Sequence, residues 1–416
     1  MKPSGLSGMT TDKTKTFLEF FAGIGLVHLG LRKSGWKCVY ANDISEKKME
    51  MYLDEFPAMD YYHREDVWKT NEVVDRITAP ALLATASFPC IDLSLAGQMR
   101  GLDGDHSGSL FGFVRVLKEL KNHGRLPKMI MLENVVGLLT GRNGEDFRKT
   151  CQSVAELGFY LDALIVDAKY FTPQSRPRLF IIGVVAGAVP PSSARENTPL
   201  FVARLNRRVN SCNPRLREAV RNTSLPTGWI AFDTPNLTPT KMSLADVIDT
   251  DEHQAWWSQE EVDKHLARTS EAHRHKIEWY RESGKTWIST MFRRIRQGTT
   301  RVEARFDGIA GCLRTANGGS ARQIVILVQN HQIKMRWMTP REYARLQGAP
   351  LFNIQRGVNQ TLTGFGDGVC VPVIEWIDRH ILSEVASYLG YGEPQQTAII
   401  AHNEQLTFNE ITFFSG

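Results

Sequence analysis

Thr16-Phe17-Leu18-Glu19-Phe20-Phe21-Ala22-Gly23-Ile24-Gly25-Leu26 is an apolar run that ends in a glycine-spaced turn ahead of a helix-forming stretch. Glycine tolerates the backbone angles of a tight turn and lets a ligand approach the main chain closely. Standing alone, the pattern fits an ordinary strand-to-helix turn equally well. Asp43 shifts the balance. It ends the next apolar run, about 20 residues after the glycines, where a carboxylate accepts hydrogen bonds from the two hydroxyls of a ribose. Asp66 ends the following segment, placed to accept from an exocyclic adenine amine. No Gly-x-x-x-x-Gly-Lys-Ser/Thr loop occurs, and the turn lacks the third glycine of a dinucleotide fingerprint. The pattern favours an adenosyl cofactor without phosphates.

Outward from this turn, short apolar runs recur at Cys38 to Ala41, Leu82 to Ser87, Met129 to Leu132 and Leu179 to Val185. Helical stretches such as Phe111 to Asn122 and Glu145 to Leu157 lie between them. This alternation predicts an α/β fold with a mostly parallel sheet covered on both faces. From about residue 189 the texture changes to Pro, Ser, Asn and Arg, which reads as a second, smaller and irregular domain over 189–335. Order returns with the helix of Thr339-Pro340-Arg341-Glu342 and the glycine-rich stretch Gly364 to Val373. Residues 336–385 are expected to complete a catalytic and cofactor-binding domain begun by residues 1–188, leaving 386–416 as a C-terminal extension.

The 416 residues are 42% hydrophobic, enough to bury a substantial core. No stretch approaches the roughly 20 apolar residues needed to cross a bilayer, and Met1 to Lys15 lacks the apolar segment of a secretory signal. The cytoplasm is the expected compartment, without a membrane partner. The six cysteines are scattered and form no Cys-x-x-Cys pair, which points to reduced thiols rather than disulfides or a zinc site. A net charge of +5 leans weakly towards a polyanionic partner.

Ser87-Phe88-Pro89-Cys90 follows an apolar strand and precedes a long glycine-rich polar stretch, so Cys90 is expected at a strand end beneath a loop. A lone cysteine is more often an inert buried thiol; its place at the mouth of the cofactor site argues for a nucleophile. Glu133-Asn134-Val135 follows Met129 to Leu132 in the same way. Burial there would raise the Glu133 pKa and let it share a proton, although a helix N-terminal carboxylate would look the same. Gln174, Arg176 and Arg178 alternate onto one side of the chain entering the Leu179 strand, so two guanidiniums are expected to face one pocket.

Taken in order, these motifs resemble the C5-cytosine DNA methyltransferase family of restriction-modification systems. Glu133-Asn134-Val135 matches the family's Glu-Asn-Val, Gln174 to Arg178 its Gln-x-Arg-x-Arg, Arg341 to Gly348 its Arg-Glu-x-Ala-Arg-Leu-Gln-Gly helix, and Gly366 to Val373 its last cofactor motif. The chain departs at Leu26 (usually Gly), Ile91 (Gln), Leu93 (Phe) and Asp367 (Asn). The resemblance implies a Rossmann-like S-adenosylmethionine-dependent methyltransferase domain beside a target-recognition domain. It implies that Phe21, Ala22, Gly23, Ile24, Gly25, Leu26, Asp43, Ile44, Asp66, Val67, Pro89, Leu110, Asp367 and Val369 hold S-adenosylmethionine. Cys90, Glu133, Arg176 and Arg178 would carry the chemistry on a cytosine rotated out of double-stranded DNA. A monomer, with a restriction endonuclease as functional companion and the bacterial nucleoid as place of work, completes that expectation.

The Ser94 to Ser107 stretch, with Gln98 and Arg100, is the candidate for closing over the vacated base position. In the middle segment, Arg293, Arg294, Arg296 and Arg314 are the candidates for meeting DNA, against the plainer reading of solvated loops. His253, His265, His273 and His275 lack a ligand pattern and are expected at the surface, with no metal. Methylation of RNA by the same chemistry stays open, as does a catalytically silent DNA-binding regulator. An exocyclic-amine methyltransferase ranks last, because no Asp/Asn-Pro-Pro-Tyr-like motif occupies the strand end.

Overall fold

The computed structural model describes residues 13–57, 60–89, 108–208, 211–251, 253–296, 298–315 and 322–392. Seven strands, β1 (Thr16–Phe20), β2 (Lys37–Asp43), β3 (Tyr62–Arg64), β4 (Leu83–Ala86), β5 (Met129–Val135), β6 (Phe159–Asp167) and β7 (Pro177–Val185), form one sheet in the order β3-β2-β1-β4-β5-β7-β6. β1 to β5 pair in parallel, and β7 runs antiparallel to both of its neighbours. The strands are continuous apolar runs because both faces are covered. Met129 and Met131 enter one core with α1 (Leu26–Arg32) and α2 (Glu46–Glu55). Ile130 and Leu132 enter the other with α3 (Thr70–Arg76), α4 (Ser109–Asn122) and α5 (Glu145–Ala155). Each such fully buried side chain contributes about 1.5–3 kcal/mol. The connections diverge between β1 and β4, and the crevice at the carboxyl ends of strands at such a switch point is where ligands bind in open α/β sheets.

The middle of the chain is more ordered than its composition suggested. After α6 (Pro199–Arg207), α7 (Pro214–Arg221) and the small pair β8 (Ala194–Arg195) and β9 (Ile230–Ala231), two helices follow, α8 (Gln259–Ala267) and α9 (Glu271–Glu282). They pack on an antiparallel sheet of β10 (Trp287–Arg296), β11 (Thr299–Ala304), β12 (Gln323–Gln329) and β13 (Gln332–Trp337), ordered β11-β10-β12-β13. Val262, Ile277, Trp287, Met291, Ile324, Ile326 and Met335 form a separate core. The expected irregular domain is thus a helix-covered sheet. Its strands carry arginines among apolar residues, Arg293 and Arg294 on opposite faces, a pattern that reads as solvated loop until the partner strands are known. β13 reaches Trp337, two residues beyond the expected boundary at 335. His265, expected at the surface, is 1% exposed; its Nδ1 lies 2.9 Å from the Glu261 carbonyl and its ring packs on Trp257.

Thr339 caps α10 (Pro340–Leu346) through a reciprocal bond set with Glu342. α11 (Val358–Asp367), α12 (Val371–Ile377) and α13 (Ser383–Tyr388) then return to the first core, where Gly30 of α1 leaves no room for a Cβ against Ile374. Tyr391 and Lys13 form an isolated parallel bridge. No helix among the described residues is long and apolar enough to cross a membrane.

Candidate active site

The glycine turn after β1 takes left-handed backbone angles at Phe21 (φ 54°), Gly23 (φ 58°) and Gly25 (φ 82°). Phe21 is too bulky to adopt that region without strain of about 1–2 kcal/mol. Gly25 is required twice, because a Cβ there would lie 2.5 Å from the Phe56 ring. Asp43, at the end of β2 and 7% exposed, accepts from the Gly23 N–H (3.0 Å) and the Ser45 N–H (2.9 Å). An ionised carboxylate has about four acceptor sites, so two remain for hydroxyls of a ligand. Beside it Ile44 presents its side chain to solvent at 70% exposure, an apolar surface at a strand end that suits a stacked aromatic ring. Asp66, half-buried, accepts from the Trp68 N–H at 3.0 Å. Ile24, Val67, Leu110 and Val369 are buried in the cores. They support this crevice from beneath, leaving their main chain as the part able to meet a ligand.

Two departures from the family pattern have structural counterparts. Leu26 fills the space over Gly368, where a Cβ would lie 2.5 Å from its Cδ1. Asp367 pairs with Lys48 at 2.8 Å. Burial alone would lower the Lys48 pKa, but the carboxylates of Asp367 and Asp43 outweigh it and raise it.

At the chemical end, the Asn134 side chain donates to the Phe88 carbonyl at 3.1 Å, holding the strand exit that leads to Pro89 and Cys90. Cys90, Ile91, Leu93, Gln98 and Arg100 lie outside the described residues, as does the rest of the Ser94 to Ser107 stretch. Val135 of β5 faces Arg178 of β7, so Glu133, two residues back on the same side, is its diagonal neighbour. The Arg178 Nε lies 3.1 Å from the Glu133 Oε1. Burial pushes the Glu133 carboxyl up; Arg178, Arg176 and a hydrogen bond with Ser87 pull back without cancelling it. The carboxyl therefore holds its proton to higher pH than an ordinary glutamate, as a group that shares a proton must.

Arg176 departs from expectation. Its guanidinium is buried and spent on main-chain carbonyls: Nη1 donates to Leu313 O (2.7 Å), and Nη2 to Gly366 O (2.9 Å) and Gly368 O (2.5 Å). Gln174 donates to Leu346 O at 2.9 Å and accepts from the Leu313 N–H at 3.3 Å. Arg178, on the strand itself, lies beside Glu133. The segment before the strand instead threads between the middle domain and the returning helices, whose open carbonyls capture Arg176 and Gln174. Arg176 is a clamp.

Arg293, Arg294 and Arg314 line one cleft of about 470 Å³, together with Arg305, Phe292, Cys312, Ser175 and Pro177. Arg293 also stacks over Trp337 at 4.7 Å. Arg296 ends β10, and its side chain is outside the description. Sequence reading missed Lys48, Ser87 and Cys312 as site residues. Only Ser87 carried a signal, its place just before Phe88-Pro89-Cys90.

Glu19, His28 and Cys38 bring ligand-type atoms within 4.8 Å of one another behind the glycine turn. The Tyr52 hydroxyl links them, 2.8 Å from His28 Nδ1 and 3.1 Å from Glu19 Oε2. Burial pushes Glu19 up to about 8 and His28 down to about 4, so both are held neutral. Hydrogen bonds through Tyr52 tie this cluster together.

The chain is similar to known proteins. Type II methyltransferase M.BsuFI of Bacillus subtilis is 34% identical over 169 residues, 40% of this chain and 39% of that protein. Type II methyltransferase M.HpaII of Haemophilus parainfluenzae is 26% identical over 393 residues, 89% of this chain and 90% of the relative. Among solved structures, the Entamoeba histolytica methyltransferase EhMeth superposes with a TM-score of 0.58 at 13% identity, covering 91% of this chain and 99% of that one, a likeness of fold. A family model described as C-5 cytosine-specific DNA methylase matches residues 15–383. With that match spanning all three sheets and every motif above, the chain belongs to the C-5 cytosine-specific DNA methylase family.

Proposed function

We propose that this DNA cytosine-C5 methyltransferase acts on a cytosine rotated out of a specific duplex sequence, through a covalent bond from Cys90 to C6. The single observation that carries the reading is the buried Glu133 with its raised pKa, paired to Arg178 beside the strand exit that leads to Cys90. Cytosine C5 is a poor nucleophile, and a thiolate adding to C6 pushes electrons into the ring. Glu133 would give its proton towards N3 and accept from the amino group, while Arg178 would hold the carbonyl oxygen as charge develops. Asn134 would fix the backbone ahead of the nucleophile.

The crevice at the glycine turn fits S-adenosylmethionine. Asp43 keeps acceptor capacity for ribose hydroxyls, Ile44 offers an apolar face, and Asp66 lies at the next strand end. Bound there, the group supplies an electrophilic methyl for C5. Rotating the base out costs roughly a few kcal/mol. The Ser94 to Ser107 segment, with Gln98 and Arg100, would cover the gap, and Arg293, Arg294, Arg296 and Arg314 would meet the phosphates. The reading further takes the chain as a monomer at the nucleoid, paired in function with a restriction endonuclease.

Bisulfite sequencing of DNA and RNA from a host expressing the chain tests this directly. Cytosines that resist conversion at one recurring DNA sequence are expected; a fully converted genome with soluble protein present overturns the reading, and protection confined to RNA redirects it. Cys90→Ala should abolish methylation while cofactor binding, followed by calorimetry, persists.

A further inference from the structure

Of the cysteines described, Cys38, Cys151, Cys212 and Cys370 are buried, whereas Cys312 is partly open and lines the arginine-bearing cleft. Its loop is held from three sides. The Gly311 N–H donates to Thr290, the Leu313 N–H donates to Gln174, and Arg176 Nη1 reaches both Leu313 O and the Cys312 sulfur, the latter at 3.4 Å. Burial alone would push the thiol up, but Arg176 and Arg178 outweigh it and lower it; the four buried thiols are all pushed up. A thiolate favoured in this way, with a cleft for access, is the combination that makes a cysteine reactive.

The cleft also shows what it would accept. Arg314 on its wall favours a carboxylate, while Arg305 and Arg294 already face Asp307 and Glu303. Gln323, 3% exposed and on the same wall, has its Oε1 without a hydrogen-bond partner, an acceptor that lacks a donor. A ligand carrying both carboxylates and N–H groups meets both needs, and a short acidic peptide is such a ligand.

We propose that Cys312 is a thiol-exchange site for acidic peptide disulfides of the glutathione kind, and that the resulting mixed disulfide fills the cleft and reversibly blocks DNA. In the step, the Cys312 thiolate attacks one sulfur of the incoming disulfide. A new S–S bond forms as the old one breaks, and the departing half leaves as a thiolate that takes up the proton Cys312 released. Cys312 is oxidised and the departing thiol is reduced. The blocking of DNA rests on the function proposed above; the thiol chemistry does not.

The test treats the full chain with oxidised glutathione, or with the uncharged disulfide of mercaptoethanol, and follows the Cys312 peptide by mass mapping, which separates it from Cys90. At low salt the Cys312 peptide should gain a glutathionyl group about tenfold faster than the uncharged adduct, a preference that salt and Arg314→Ala both erode. In the Cys90→Ala background, glutathionylation should release the chain from duplex DNA, and dithiothreitol should restore binding. Equal rates with the two disulfides overturn the acidic-ligand assignment, as does a Cys312 that reacts only after denaturation. Full modification with unchanged DNA retention overturns the blocking role. A chain that never binds DNA yet glutathionylates at Cys312 defeats the proposed function and leaves the exchange site standing.

Discussion

Glu133 with Arg178 and Glu342 with Arg336 each pair a buried carboxylate with a guanidinium, and they are finished differently. Glu342 is 0% exposed, and each of its oxygens receives a guanidinium N–H, from Arg336 Nη2 (2.5 Å) and Nη1 (2.8 Å). The Asp249 and Thr339 N–H groups add a second bond to each oxygen, at 2.9 and 2.7 Å. Arg336 itself lies over Trp256 and donates to Asp249 O. This pair sits where β13 hands the chain to α10, and its acceptor sites are saturated. Glu133 instead meets Arg178 through Nε at 3.1 Å and a hydrogen bond with Ser87, at the rim of the strand ends, with its pKa raised. A carboxylate with all its acceptor sites filled stabilises a joint; one at the rim of the strand ends with a raised pKa can exchange a proton. Residue type is the same in both, so the distinction lies in the surrounding donors.

The largest expected effect comes from the joint. Glu342→Ala leaves Arg336 buried without its counter-charge and should cost about 3–5 kcal/mol of unfolding free energy, read by urea denaturation. Unchanged stability would mean the joint is not where the two domains are held. Glu133→Gln should do the reverse, lowering methyl transfer about 100- to 1,000-fold while the urea midpoint stays near that of the native chain. A variant that loses stability and activity together would erase the contrast.

A third carboxyl sharpens it through pH. Glu19 is raised from 4.5 to about 8 by burial, so the folded chain keeps a proton that the unfolded chain releases. Its contribution is complete below pH 4.5 and is lost as pH rises through the window up to about 8, at no more than about 1.4 kcal/mol per pH unit. Glu19→Gln should flatten that slope in unfolding measured from pH 5 to 8. The smallest effect is reserved for the exposed pair. Asp367→Asn removes a one-third-exposed partner from Lys48 and should change stability by about 0–1 kcal/mol, with cofactor affinity by calorimetry showing whether the pair matters for binding.

Continuous apolar runs, the glycine turn and the carboxylates at strand ends were legible in the sequence, because strand burial on two faces and the left-handed turn each demand particular residues locally. That reading reached the mostly parallel sheet and set Asp43, Glu133 and Arg178 at strand ends. Arg176 and Arg178 are indistinguishable by sequence spacing. What separates them is that the carbonyls of Leu313, Gly366 and Gly368, remote along the chain, converge on one guanidinium and not the other. Likewise the middle sheet, the pairing of Lys48 with Asp367 and the arginine setting of Cys312 depend on segments brought together only by folding. The sequence by itself determined the local backbone and which chemistry the chain carries. Tertiary structure decided which of those groups are spent on holding the fold and which are left able to react, because a donor's partners are set by distance in space.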